Sequence, residues 1–145
     1  CDRRQRQMCI RDSLHLFNSR GELYLQKRPA WKDIQPGRWD TAVGGHVDWG
    51  EEPLVALRRE VREEVGVTDF EPQHVLTYLF ESERERELVY VYKTVYDGPV
   101  VPSGELDGGR FWTLREIAEG VGGGIFTPNF EGEIRRVAEL PDVGR

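Results

Sequence analysis

Glu60, Glu63 and Glu64 stand at i, i+3 and i+4, the spacing that puts side chains on one face of a helix. Three carboxylates that close repel one another when ionised. A hard divalent cation relieves that repulsion, and Mg2+ takes oxygen ligands together with substrate phosphates. The chemistry such a face offers is metal-assisted hydrolysis, with an acidified water and a phosphate whose charge is neutralised. The competing reading is a solvated helix laced with ion pairs, because Arg58, Arg59 and Arg62 lie in the same stretch.

A single helix has to position these groups. Pro53 suits a first helical turn, where its missing N–H costs nothing. Gly66 suits the left-handed residue that ends a helix. Between them Leu54, Leu57, Val61 and Val65 recur at helical spacing, which predicts a stripe facing the core. The three glutamates fall beside that stripe, and Arg58, Arg59 and Arg62 fall on the other flank or the far side. The pair Gly44-Gly45 precedes the helix.

The stretch Gly45–Val67, GHVDWGEEPLVALRREVREEVGV, resembles the Nudix box. Gly45, Glu51, Arg59, Glu60, Glu63, Glu64 and Gly66 all meet its spacing, and Val61 and Val67 fill its two apolar slots. The resemblance implies an α/β fold, a mixed β-sheet sandwiched between α-helices, with the box as a loop–helix–loop at the rim. It also implies cleavage of a pyrophosphate link, in a nucleoside diphosphate derivative or another organic diphosphate, with Mg2+ or with Mn2+ in its place. By resemblance, Glu60, Glu63 and Glu64 hold the metal and Glu60 is a candidate base. Arg59 and Glu51 form a pair that orients Glu60, and the backbone carbonyl of Gly45 joins the metal shell.

The run LQKRPAWKDIQPGRWDTAVGGHV is similar to the corresponding stretch of isopentenyl-diphosphate isomerases, which share the fold. That similarity puts Arg28 and Lys32 where those enzymes grip the diphosphate. It puts His46 on a metal-binding histidine, and Glu85 and Glu87, from ERELVYVY, on metal-binding glutamates. Glu105 is a rival extra ligand or base. The plain alternatives are a satisfied loop histidine, a solvated charge run and surface cations. Two departures favour a hydrolase: the isomerase cysteine would sit at Gly44, which has no side chain, and the isomerases lack carboxylates kept here at Glu60 and Glu63. The competing functions are therefore a pyrophosphohydrolase, an isomerase-like enzyme and a non-catalytic nucleotide-sensing module.

The 145 residues suit one domain. With 26 acidic and 20 basic residues the formal charge is −6, and no basic stripe marks a nucleic-acid polymer as a partner. No apolar run is long enough to span a bilayer, and no signal peptide is readable, so a cytoplasmic protein is expected. Homodimers are common in the family, but the sequence does not reveal an oligomeric state. Residues 7–13, QMCIRDS, correspond to the codons CAG ATG TGT ATA AGA GAC AGC, most of which resemble a transposon end used in sequencing libraries. Residues 1–12 are therefore expected to be foreign, residues 13–145 the domain, and Cys1 and Cys9 neither a disulfide nor a metal site.

Around the helix, Ser13–Asn18 and Glu22–Lys27 read as a hairpin about Ser19-Arg20-Gly21. Residues Val75–Phe80, Leu88–Tyr96 and Arg110–Trp112 read as strands. Thr113 and Glu116 form a capping-box pair that opens a helix ending near Gly120. Gly122–Gly124 reads as a flexible joint, and a last helix runs roughly Asn129–Leu140. Trp31, Trp39, Trp49, Phe80 and Trp112 are available to stack on a base, although most aromatics in such positions are core. His15 and His74 carry no signal.

Overall fold

The computed structural model describes residues 8–28, 37–81, 83, 86–103 and 108–143. Strand β1 (Met8–Phe17) turns at Asn18, whose side-chain carbonyl accepts from the backbone N–H groups of Arg20 and Glu22. It returns antiparallel as β2 (Leu23–Lys27), with Leu16 opposite Tyr24. Gly21 completes that turn at φ 80°, a left-handed conformation that glycine adopts without steric cost.

Strands β3 (Trp39–Thr41) and β4 (Val43–Val47) follow, so the glycine pair lies inside a strand and not in a loop. Helix α1 (Pro53–Val65) comes next, then β5 (Gln73–Glu81), β6 (Arg86–Val95), β7 (Gly109–Trp112), α2 (Leu114–Gly120) and α3 (Pro128–Val137). The described strands form one mixed sheet in the order β3-β2-β1-β6-β5. Strand β4 also pairs with β1, and β7 with β2. The long β1–β6 pairing is parallel and the other pairings are antiparallel.

Alternation along β1 builds the two layers. Leu14 and Leu16 pack with Leu57, Val61 and Val65 of α1 on one face. On the other, Leu23, Leu25 and Trp112 pack with Ile117 of α2 and with Phe126, Phe130 and Ile134 in and before α3. The expected mixed sheet between helices is therefore present. Pro53 opens α1 and Gly66, at φ 70°, closes it with its N–H on the carbonyl of Arg62. Helix α2 starts on the expected Thr113–Glu116 capping box.

Three expectations need correction. Leu54 is half exposed, and Ala56 takes its place in the buried stripe with Leu57, Val61 and Val65. Helix α3 ends at Val137, where Ala138 turns extended. Cys9 is disulfide-bonded, contrary to the reading of the cysteines, since where a segment comes from does not decide whether its thiol finds a partner. Residues Met8–Asp12, within the stretch read as foreign, form the first half of β1 and pair with β4 and β6.

Candidate active site at the helix α1 carboxylates

Helix α1 lies against β4, and the contact is closest at Gly45. A Cβ there would collide with the Glu60 carboxylate, which would have to shift out of its present position. Register then sets what else meets Glu60. Asp12 pairs with Gly45 across β1 and β4, which brings the fully buried Asp12 side chain against Glu60, itself buried. Among the described residues, no donor other than this pair itself and the Gly45 backbone is directed at the Asp12 oxygens or at Oε2 of Glu60. Burial raises both carboxyls above the usual range, and for Glu60 the neighbouring Asp12 and Glu64 charges add to it. A proton shared between Asp12 and Glu60 is the arrangement that joins them without a cation.

Glu64 is pushed up to about 8, first by burial and then by the Asp12 and Asp40 charges, with a Gln26 hydrogen bond opposing the shift. Glu63 stands at the solvent edge, its side chain 59% exposed. Arg59 lies among these groups. Its Nε and Nη2 donate to the two oxygens of Glu51 at 3.3 and 3.1 Å. Nη2 is also 3.8 Å from Glu60 Oε1, and Nη1 is 3.8 Å from Glu63 Oε2. The expectation that Arg59 falls away from the glutamates is thus corrected: a residue four before Glu63 shares its face. Glu51 is held in turn by the Asp48 N–H, at 3.2 Å.

The isomerase-like positions divide. His46 Nε2 lies 3.4 Å from Glu87 Oε2, and Glu87 is buried with Arg11 Nη1 at 3.9 Å. These three line the face of the sheet opposite α1. Arg28 lies 3.7 Å from Asp40, one of the carboxylates that raise Glu64. Lys32, Glu85, Glu105 and Trp31 lie outside the described residues. At Gly44 the nearest atom to an added Cβ is the Asp12 carbonyl oxygen at 3.8 Å, so a side chain would fit and its absence is a chemical difference, not a steric one. Trp112 is core, Trp39 packs edge-on to it, and Trp49 is fully exposed.

Asp12, Asp40 and Gln26 were not singled out by sequence reasoning. Asp12 and Asp40 could have been found by carrying the β-strand alternation through to the face that meets α1.

Among the described residues, no three His, Cys, Asp or Glu side chains stand close enough together to hold a metal ion. The donor set nonetheless fits a hard divalent cation. Glu60 offers an unpartnered buried oxygen, and Glu60 and Glu64 are both raised by burial and by neighbouring acids that a cation would offset.

The sequence profile of the NUDIX domain matches residues 11–130 of this chain. The chain belongs to the Nudix family. An uncharacterised Nudix hydrolase of Pseudomonas aeruginosa is 36% identical over 97 residues, 66% of this chain and 57% of that protein. The isopentenyl-diphosphate Δ-isomerase of Serratia proteamaculans is 30% identical over 112 residues, 74% of this chain and 61% of the isomerase. The Nudix chain thus spans about three-fifths of the length of these relatives. In fold it is similar to the crystal structure of the MutT Nudix hydrolase from Burkholderia pseudomallei, with a TM-score of 0.76 at 19% identity over 91% of this chain and 99% of that one. The DR0079 protein of Deinococcus radiodurans has the same TM-score at 24% identity, over 88% of this chain and 82% of its own. No helix among the described residues is long and apolar enough to cross a membrane.

Proposed function

We propose that the chain is a divalent-metal-dependent pyrophosphohydrolase acting on a small organic diphosphate. The observation that carries the reading is the crowding at Glu60, a buried carboxylate tucked under Gly45 beside two further acids, with Arg59 anchored on Glu51 at its flank. A group of that kind is costly unless a cation occupies the position. Glu60, Glu63 and Glu64, with the Gly45 carbonyl, would hold Mg2+ or Mn2+. The bound ion would supply Lewis acidity to a water and to a phosphate oxygen. Arg59 limits the rotamers of Glu60 and Glu63 by lying within 4 Å of both. Glu51 fixes the guanidinium through two hydrogen bonds, which leaves less freedom to lose on substrate binding. Arg28 is a cation on the Asp40 side and a candidate grip for phosphate. By the sequence resemblance alone, Lys32, Glu85 and Glu105 are proposed as further substrate-binding residues, with His46 and Glu87 as a further ligand pair.

An isomerase-like reading draws support from the Serratia relative and from the His46–Glu87 contact. It is disfavoured at Gly44, which offers no group to protonate an alkene. A cytoplasmic location and a small-molecule partner are the remaining proposals.

The test is phosphate or pyrophosphate release from a panel of diphosphates with Mg2+, comparing wild type with Glu63→Gln and Glu64→Gln. Isopentenyl diphosphate is included, with analysis for its isomer. Metal-dependent release lost in both variants is expected. Isomer without phosphate release would replace the hydrolase reading with the second one, and ligand binding without turnover would replace it with a sensing module.

A further inference from the structure

Helix α3 is tied to the sheet at two carboxylates, one on each face. On the face away from α1, Glu133 is 2% exposed. Its Oε1 accepts from Ser13 Oγ at 2.6 Å and lies 3.0 Å from His15 Nε2, and its Oε2 accepts from the Tyr78 hydroxyl at 2.6 Å. Burial opposes the charge, but the hydrogen bonds from His15, Ser13 and Tyr78 outweigh it and hold the carboxyl below its ordinary range. The middle of the helix is thereby pinned, and its first residues keep a fixed place beside the sheet.

Those first residues belong to the run Phe126–Phe130, FTPNF. The Trp39 N–H donates to the Ile125 carbonyl at 2.8 Å, and the Thr127 N–H donates to the Trp39 carbonyl at 3.0 Å. The run therefore extends the sheet beyond β3 as a short parallel bridge. Thr127 is buried and opens α3. Its hydroxyl oxygen accepts from the Phe130 N–H at 3.3 Å, the cap that a helix start needs. Its hydroxyl proton goes to Asp40 Oδ1 at 2.9 Å. One hydroxyl serves both partners because it has one proton and two lone pairs.

Asp40 belongs to the α1 face. It stands opposite Gln26, whose side chain bonds Glu64, and its own charge reaches Glu64. Its Oδ1 also accepts from the Thr41 N–H at 2.7 Å and from the Thr41 hydroxyl at 3.3 Å. Thr41 is a chain neighbour, so Thr127 is the partner that fixes this carboxylate from a distance. With Oδ1 held, Oδ2 faces Arg28, whose Nη1 lies 3.7 Å away. That separation is an ion pair longer than a hydrogen bond, and it directs the guanidinium by charge. The Arg28 backbone is already fixed, donating to Arg38 at 2.8 Å and accepting from Gly37 at 3.2 Å. What remains to be set is the direction of its long side chain, and setting it beforehand leaves less freedom to lose when a phosphate binds.

We propose that Thr127 is a positioning residue for the diphosphate: through Asp40 it holds Arg28 toward the phosphates at the α1 face. The FTPNF run then serves the site although the rest of α3 packs on the other face. This rests on the diphosphate reading, through Arg28 as the phosphate grip.

The test uses the full chain with Mg2+ and imidodiphosphate, a pyrophosphate analogue with a nitrogen bridge that resists hydrolysis, followed by calorimetry. Arg28→Ala is expected to weaken binding about thirtyfold and Thr127→Val about tenfold, with Thr127→Ser restoring it. Adding Thr127→Val to Arg28→Ala should cost nothing further, because Thr127 acts through the guanidinium. A merely structural threonine would weaken both backgrounds alike. Asp40→Asn carries the same comparison if Thr127→Val fails to fold. Equal losses in the two backgrounds, wild-type affinity in a folded Thr127→Val, or no binding by wild type would overturn the proposal. Wild-type affinity in Arg28→Ala, with metal-dependent turnover lost in Glu63→Gln and Glu64→Gln, would sink this inference and leave the hydrolase intact. Coupled losses at Thr127 and Arg28 with no turnover of any diphosphate would support this inference and sink the hydrolase.

Discussion

Glu60 and Glu133 are buried glutamates on opposite faces of one sheet, and their surroundings treat them in opposite ways. Glu133 meets three donors and is held ionised. Glu60 meets another carboxylate, has an oxygen without a partner and is pushed toward the neutral acid. A buried acid is affordable when its lone pairs are filled and costly when they are not. The first face has solved that problem within the chain. The second leaves room for a bound cation, which is the ground for placing the proposed metal at Glu60 and not at Glu133.

The sharpest break in this comparison is Glu60→Gln. Metal-dependent turnover should fall by about 10²–10⁴-fold, the usual scale for loss of a catalytic acid–base or ligand group. Stability of the metal-free protein should rise or stay level, because glutamine keeps the shape of the neutral acid and cannot ionise beside Asp12. Activity assays and urea melts of one preparation check both. A variant that loses both activity and stability would mean Glu60 is held by the fold and not spared for a ligand.

Glu133→Leu should do the reverse in the melt. It leaves the buried donors Ser13 and His15, and the half-buried Tyr78 hydroxyl, facing a methyl group, at a cost of about 3 kcal/mol. The midpoint in urea should drop without a change in slope. A loss under about 0.5 kcal/mol would show that the three donors find water instead.

The pH dependence separates the two faces by sign. For Glu64 the folded pKa, about 8, lies above the unfolded value near 4.5, so the folded state holds more protons between them. That contribution is full below the unfolded pKa and is lost as pH rises toward 8. Glu60 acts in the same direction. The metal-free protein should therefore lose stability from pH 5 to pH 8, on the order of 2 kcal/mol after allowing for partial exposure of Glu64. Saturating Mg2+ should flatten the decline, since the ion favours the ionised acids. Glu133 has a lowered folded pKa, so its contribution is present above the unfolded value and is lost as pH falls below about 4.5. Thermal melts from pH 3 to pH 9, with and without Mg2+, resolve both limbs. A metal-free protein that gains stability between pH 5 and pH 8 would contradict the crowding.

How much of this was legible in the sequence depends on the range of the signal. Helix α1 carried local punctuation, Pro53 at its start and Gly66 at its end, and its box glutamates were readable by spacing. The capping box of α2 was equally local. The Asp12–Glu60 contact is not local. It requires knowing that β4 pairs antiparallel with β1 and that Gly45 falls opposite Asp12, a register that no short window contains. His15 looked silent for the same reason, since its partner is Glu133, 118 residues away. Glu133 itself left a mark: it lies on the stripe of Phe130, Ile134 and Val137, where a charge is out of place unless something buried meets it. The strand at Val43–Val47 was hidden because glycines rarely signal a strand, and pairing with β1 overrides their weak propensity.

The smallest effect comes from the two adjacent glycines of β4, which point to opposite faces. Gly45→Ala puts a methyl group into the Glu60 carboxylate, which must move. The expected cost is about 1–2 kcal/mol of stability, with a larger loss of metal affinity if the displaced acid is the ligand proposed above. Gly44→Ala meets only the Asp12 carbonyl oxygen at 3.8 Å, an ordinary contact, and should change stability by less than about 0.5 kcal/mol. Melts and Mg2+ titrations of the pair measure the α1 face against the other with the same added atom. If both alanines are silent, the close approach of Gly45 is not what holds Glu60 in place. If both are harmful, β4 tolerates no side chain at all and the glycines serve the strand instead of the site.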